Sequence, residues 1–195
     1  HRRAMTQDKI RATIEESIRT KQRFLETCTD ALQELCQVAV AVIGQGGKIM
    51  LCGNGGSSCD AAHAVGELVG WFEDKQRPGY AAIALGHSVP SLTAVANDVG
   101  YEQVFAREVE AVGKPGDLLI GITTSGGSKN VVAAMTKARE MNIRTAVLCG
   151  EKRGATAALA DVAVHVPSTS TARIQESHLV CVHVLCAAVE DAFRR

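Results

Sequence analysis

Five short, almost continuously apolar runs constrain this chain more than any other feature: Lys48–Cys52, Ala81–Leu85, Asp117–Thr123, Thr145–Cys149 and Val162–Val166. A strand that is apolar on both sides has no face for water, as in a parallel sheet covered by helices above and below. Helical periodicity fills the gaps at Asp60–Phe72, Tyr101–Val112, Lys129–Met141 and Thr156–Ala160, and a last long helix is predicted from about Ala172 to Phe193. Ahead of the first strand, Ile10, Ile14, Ile18 and Leu25 recur at helical intervals over Thr6–Cys28. Leu32, Leu35, Val38, Ala39 and Ile43 do the same over Thr29–Gln45, with Gly46-Gly47 as a stop. The alternation predicts a three-layer α/β/α sandwich around a five-stranded parallel sheet, preceded by two N-terminal helices within residues 6–45.

A length of 195 residues suits one domain, taken as residues 5–195. His1–Ala4 are set aside as an expression remnant ahead of Met5, a natural start. Hydrophobic residues at 46% and charged residues at 22% exclude general disorder. With 21 basic against 21 acidic residues, no whole-molecule field draws in DNA or anionic lipid. An aromatic content of 4% argues against stacking platforms for single strands, so no nucleic-acid partner is expected. The longest apolar run, Leu179–Val189, contains His183 and falls short of the ~20 residues that span a bilayer, so no membrane partner is expected either. The seven cysteines are odd in number, form no CxxC pair and predict a reducing, cytoplasmic setting.

In open α/β sheets, ligands bind beyond the carboxyl ends of the strands. Two of those ends carry Gly53-Asn54-Gly55-Gly56-Ser57-Ser58 and Thr123-Thr124-Ser125-Gly126-Gly127-Ser128, each leading into a helix. Glycine lets backbone N–H groups approach a phosphate, hydroxyls add donors, and the helix N-terminus adds a favourable dipole. One such loop can be a plain turn; two at equivalent positions predict an anion site. No GxxxxGK[ST] is present, Ser58 replaces the third glycine of a GxGxxG pattern, and Lys129 is not spaced as a Walker lysine. A phosphorylated small molecule is the expected ligand.

His63 and Glu67 are four apart on the helix after the first loop and share a face. A metal half-site, an acid/base couple and a surface hydrogen bond all use that spacing. Gln175, Glu176, His178 and His183 lie on the last helix. Gln175 and His183 are ~12 Å apart along an ideal helix axis. They reach one ion only if their side chains converge or the helix starts after Gln175. His183 sits among apolar neighbours, where a histidine is more often structural than catalytic. A half-buried carboxylate and imidazole brought together would nonetheless suit proton transfer near neutral pH.

Cys52-Gly-Asn-Gly-Gly-Ser57, His63-x-x-x-Glu67, Arg77-Pro-Gly-Tyr80, Ala96-Asn-Asp98, Gly116-Asp-Leu-Leu-Ile-Gly121, Thr124-Ser-Gly126 and Arg173-Ile-Gln-Glu-x-His178 occur in that order. The succession resembles the phosphoheptose isomerase family of sugar isomerase (SIS) domain enzymes over nearly the whole chain. The resemblance implies a flavodoxin-like SIS domain and a homotetramer with active sites between subunits. It further implies conversion of sedoheptulose 7-phosphate to D-glycero-D-manno-heptose 7-phosphate, the first step towards a nucleotide-activated heptose for lipopolysaccharide or another surface glycan. By the same resemblance Ser57, Thr123, Thr124, Ser125 and Ser128 are phosphate-binding hydroxyls, and Asn54 and Asp98 contact the sugar. Gly55, Gly56 and Gln175 join the substrate-binding set, Glu67 and His183 are the acid/base pair, and His63, Glu67, Gln175 and His183 are zinc ligands. Which of Glu67 and His183 is the base stays open. Gly66, Gly127 and Ala172 depart from the family pattern. Two alternatives remain: a non-catalytic relative that binds the bacterial replication initiator, and an isomerase of another sugar phosphate. The presence of both Glu67 and His183 favours an enzyme.

Overall fold

A computed structural model describes residues 5–194; the expected remnant His1–Ala4 and the last residue of the expected domain lie outside the described residues. Five strands, β1 (Ile49–Gly53), β2 (Ala82–Ala84), β3 (Leu118–Thr123), β4 (Arg144–Cys149) and β5 (Val162–His165), form one parallel sheet in the order β2-β1-β3-β4-β5. The helices are α1 (Gln7–Gly44), α2 (Gly56–Val69), α3 (Val89–Asp98), α4 (Val104–Val112), α5 (Lys129–Glu140), α6 (Ala155–Leu159) and α7 (Thr171–Ala192). Successive strand residues point to opposite faces, which divides the core in two. Ile49, Leu51, Leu118, Ile120 and Leu148 pack with residues of α1, α2 and α7. Met50, Cys52, Leu119, Val147 and Cys149 pack with α4 and α5. The three-layer sandwich expected from the apolar runs is therefore present, with every residue of β1 and β3 buried.

Three element expectations are corrected. The two N-terminal helices are one unbroken α1. Thr27 and Thr29, whose hydroxyls could have capped a new helix, donate instead to the carbonyls of Arg23 (2.8 Å) and Leu25 (2.6 Å) one turn back. Burial on α1 begins only at Thr20, and Ile10, Ile14, Ile18 and Leu25 stay exposed. Helix α2 starts at Gly56, not Asp60, so Gly56, Ser57 and Ser58 form its first turn and the connection shrinks to Asn54-Gly55. Gly55 takes φ +56°, a left-handed conformation that glycine adopts without a Cβ penalty. Finally, α3 fills a stretch where the periodicity gives no helix. It buries no residue, so no apolar stripe announces it, and its early proline sits where a helix start tolerates one.

At the amino edge of the sheet, Asp117 (3% exposed) accepts from the backbone N–H groups of Lys48 (3.0 Å) and Lys114 (2.8 Å) and pairs with Lys48 Nζ (2.5 Å). That buried carboxylate aligns the starts of β1 and β3. A second one, Glu190 of α7, organises the connection after α2. It accepts from the amides of Phe72 (3.1 Å), Glu73 (2.8 Å) and Asp74 (2.7 Å) and from Arg77 Nε (2.7 Å). The six buried cysteines and exposed Cys59 are all free thiols. Among the described residues no helix is long and apolar enough to cross a membrane.

Burial alone would raise the Glu190 carboxyl, but Arg77 and the three amides outweigh it and hold it at about 2. A carboxyl depressed in the folded state stabilises above its unfolded value, near 4.5, and loses that contribution as pH falls towards 2. Unfolding free energy measured against pH should therefore fall between those limits, and Glu190→Gln should remove roughly one proton from the slope. An unchanged slope in the variant would contradict this.

Candidate active site

Strands β1 and β3 are neighbours, yet α2 after β1 and α5 after β3 cover opposite faces of the sheet. Such a reversal opens a crevice at the carboxyl ends of the two strands, the usual ligand position in this strand order. Asn54, just past β1, and Asn130, in the first turn of α5, bridge the crevice with reciprocal amide hydrogen bonds of 2.9 and 2.8 Å. Tyr101 donates its hydroxyl to Asn54 Oδ1 at 2.9 Å. Gly53 lets α2 start against the strand end, because a Cβ there would lie 2.8 Å from the Ser57 backbone. The buried Ser57 follows directly.

On the other side of the crevice, Ser128 precedes α5 without capping it; its hydroxyl pairs with Thr123 Oγ1 at 2.9 Å. Thr123 Oγ1 also lies 3.5 Å from Ser125 Oγ. The loop is pinned from behind, where buried Thr156 donates its amide (3.1 Å) and hydroxyl (2.8 Å) to the Gly126 carbonyl. Gly126 has φ +69°, and Gly154 packs against it so closely that neither tolerates a side chain. A cavity of about 120 Å³ opens beside Thr124 and Ser125, lined also by Lys152, Ser168, Thr169 and Thr171.

Helices α2 and α7 bring the other candidates together. His63 Nε2 lies 3.1 Å from Glu67 Oε1 and 3.2 Å from His183 Nε2. The nominated pair Glu67 and His183 is thus joined through His63, and Phe72 stacks beside the His183 ring at 5.6 Å. Gln175 approaches a different part of the site, its amide against Gly56. Helix α7 runs unbroken through Gln175 and His183, so they stay about 12 Å apart along its axis. The four nominated metal ligands are consequently not gathered around one point. Among the described residues no group of three or more His, Cys, Asp and Glu side chains is arranged to hold a metal ion.

Asp98 is exposed at the end of α3 and accepts from Asn97 Nδ2 at 2.7 Å; Tyr101, three residues on, is the residue of that segment that reaches Asn54. Tyr101 and Asn130 were not evident as site residues in the sequence. An amide residue two positions past a hydroxyl loop was the available signal for Asn130. His178 lies outside the site, fully buried, with burial pulling its imidazole down to about 4 and so keeping it neutral. Of the three departures, Gly66 has open space around it, Gly127 donates its N–H to Ser125 Oγ at 3.3 Å, and Ala172 is exposed.

Residues 14–150 match the SIS domain family. A phosphoheptose isomerase from Thermodesulfovibrio yellowstonii is 41% identical over 185 residues, covering 95% of this chain and 92% of that protein. The chain belongs to the phosphoheptose isomerase family. Two solved phosphoheptose isomerases share the whole fold. The one from Neisseria gonorrhoeae is 37% identical over 95% of this chain and 98% of its own, with a TM-score of 0.89. The one from Francisella tularensis is 36% identical over 96% and 100%, with a TM-score of 0.92. A match of 185 residues in a chain of 195 includes the segment carrying Gln175 and His183.

Proposed function

We propose that this phosphoheptose isomerase family member converts D-sedoheptulose 7-phosphate to D-glycero-D-manno-heptose 7-phosphate, and that its site is the β1/β3 crevice together with the α2–α7 seam. The observation that carries the proposal is the continuous chain Glu67–His63–His183, with steps of 3.1 and 3.2 Å, whose Glu67 and His63 stand on the helix that starts at the hydroxyl-bearing end of β1. Ser57, Thr123, Thr124, Ser125 and Ser128 bind the phosphate, aided by the Lys152-lined cavity. Asn54, Gly55, Gly56, Asp98 and Gln175 border the sugar. Isomerisation removes a proton from C1, passes through an enediol(ate) and returns a proton to C2. Glu67 is assigned the base role, since its carboxylate is half-buried and faces His63. His183 exchanges protons with the sugar oxygens, and His63 orients both groups.

Zinc enters as a further proposal. A carboxylate and two imidazoles suit zinc chemically, but Glu67, His63 and His183 are not arranged around one ion, so binding requires the facing imidazole nitrogens to turn towards a shared ion. Bound there, zinc would polarise the substrate carbonyl. A homotetramer is proposed as well, supported by the exposed stripe Ile10, Ile14, Ile18 and Leu25, which is larger than scattered surface apolar residues. Free thiols throughout fit the reducing cytoplasm.

Purified protein given sedoheptulose 7-phosphate should form the aldose, and Glu67→Gln and His183→Gln should each lower kcat by about 100-fold or more. Absence of turnover by folded, zinc-supplied wild type would remove the activity; full turnover in both variants would remove the site. On the same preparation, metal analysis should find zinc and chelation should lower activity, whereas undiminished activity without metal excludes a catalytic zinc. Light scattering should give about four times the 20.6 kDa chain mass, and a monomer would overturn the tetramer.

A further inference from the structure

The seam between α2 and α7 holds one charged pair that the proposed chemistry does not use. The side chains of Arg77 and Glu190 are 3% and 2% exposed and meet at 2.7 Å. Arg77 spends its remaining donors on backbone: Nη2 on the Glu67 carbonyl (2.6 Å) and Nη1 on the carbonyls of Leu68 (2.9 Å) and Pro78 (2.9 Å). Its guanidinium lies 4.3 Å over the Tyr80 ring. Glu190 in turn fixes the amides of Phe72, Glu73 and Asp74. It stands two turns beyond His183 on α7 and faces the same seam.

We propose that Arg77 and Glu190 are positioning residues for the acid/base chain. The inference rests on reading Glu67, His63 and His183 as the reacting groups. Three constraints meet at this one pair. Arg77 caps the last turn of α2 through the carbonyl of Glu67 itself, setting the axial position of the carboxylate. Glu190 anchors the turn that lays Phe72 against the His183 ring. The ion pair fixes α7 against α2, across which His63 and His183 meet at 3.2 Å. Stability alone is a weak reason for such a pair, because hydrophobic residues of similar volume often replace buried ions without loss. A planar group donating in four directions fixes geometry that apolar packing would leave free to slide. The phosphate loops lie at the carboxyl ends of β1 and β3, at the other end of α2 from the turn that Arg77 caps.

The test compares wild type with Arg77→Lys, which keeps the charge and loses the fork, and Glu190→Asp, which keeps the charge and shortens the reach. Kinetics are run well below the melting temperature and normalised to folded protein, and imidazole resonances of His63 and His183 are followed by NMR. In Arg77→Lys, kcat should fall about 10- to 100-fold with KM within twofold, and both imidazole resonances should move; Glu190→Asp should retain more activity. Unchanged kcat per folded site with unmoved resonances overturns the inference. Should Arg77→Lys fail to fold, Glu190→Gln keeps the side-chain shape and weakens the hold on Arg77, and unchanged kcat with unmoved imidazole resonances there overturn the inference equally. Absence of turnover in wild type would instead strike the functional reading, and the resonances would still report whether Arg77 positions the imidazoles.

Discussion

Between β1 and β3 the sheet changes the side to which it sends its helices, and the rest of the molecule is arranged around the crevice that results. Two buried strands must lie side by side for the crevice to exist, and Asp117 aligns their starts from the opposite edge. Asn54 and Asn130 then span it with paired amides, fixing the separation of the two loops. The loops themselves depend on close backbone approaches, at Gly53 against Ser57 and at Gly126 against Gly154. A side chain at either place would push apart the surfaces that face the ligand.

The same geometry explains how a chain of zero formal charge can receive an anion. Hydroxyls and helix ends carry much of the local positive potential, and a count of basic residues does not register them. Lys152 adds one cation beside Thr124 and Ser125. Proton transfer is assigned to Glu67 and His183, further along α2 and α7, so binding of the charged group and chemistry on the sugar are assigned to different stretches of the same helices. The proposed positioning by Arg77 and Glu190 acts at the far end of α2, where the Glu67 carbonyl is held.

Much of this was legible in the sequence because burial on both faces leaves a strand little choice of residue. The apolar runs locate all five strands to within about a residue, and the two Gly- and hydroxyl-rich stretches fall at adjacent strand ends. Where one-dimensional periodicity misled, the cause was local. A helix break at Thr29 looked plausible, but its hydroxyl is satisfied within the helix. Helix α3 has no buried face to betray it. Residue spacing ties His63 only to Glu67; that it meets His183, 120 residues on, was implied by the family resemblance alone and is a product of tertiary packing. The Arg77–Glu190 pair was illegible for the same reason, since a surface charge and a buried one are written with the same letters.

The proposed base, Glu67, faces both water and histidine and would move a proton between C1 and C2. Glu67 is 27% exposed, so a proton it takes from C1 can exchange with solvent before return. Isomerisation in deuterium oxide, with the aldose product examined by proton NMR and mass spectrometry, tests that directly. Deuterium should appear at C2 of the product, with its rate but not its position changed by Glu67→Gln. Efficient turnover that leaves C2 fully protiated would mean that hydrogen passes directly between the carbons, and would contradict it.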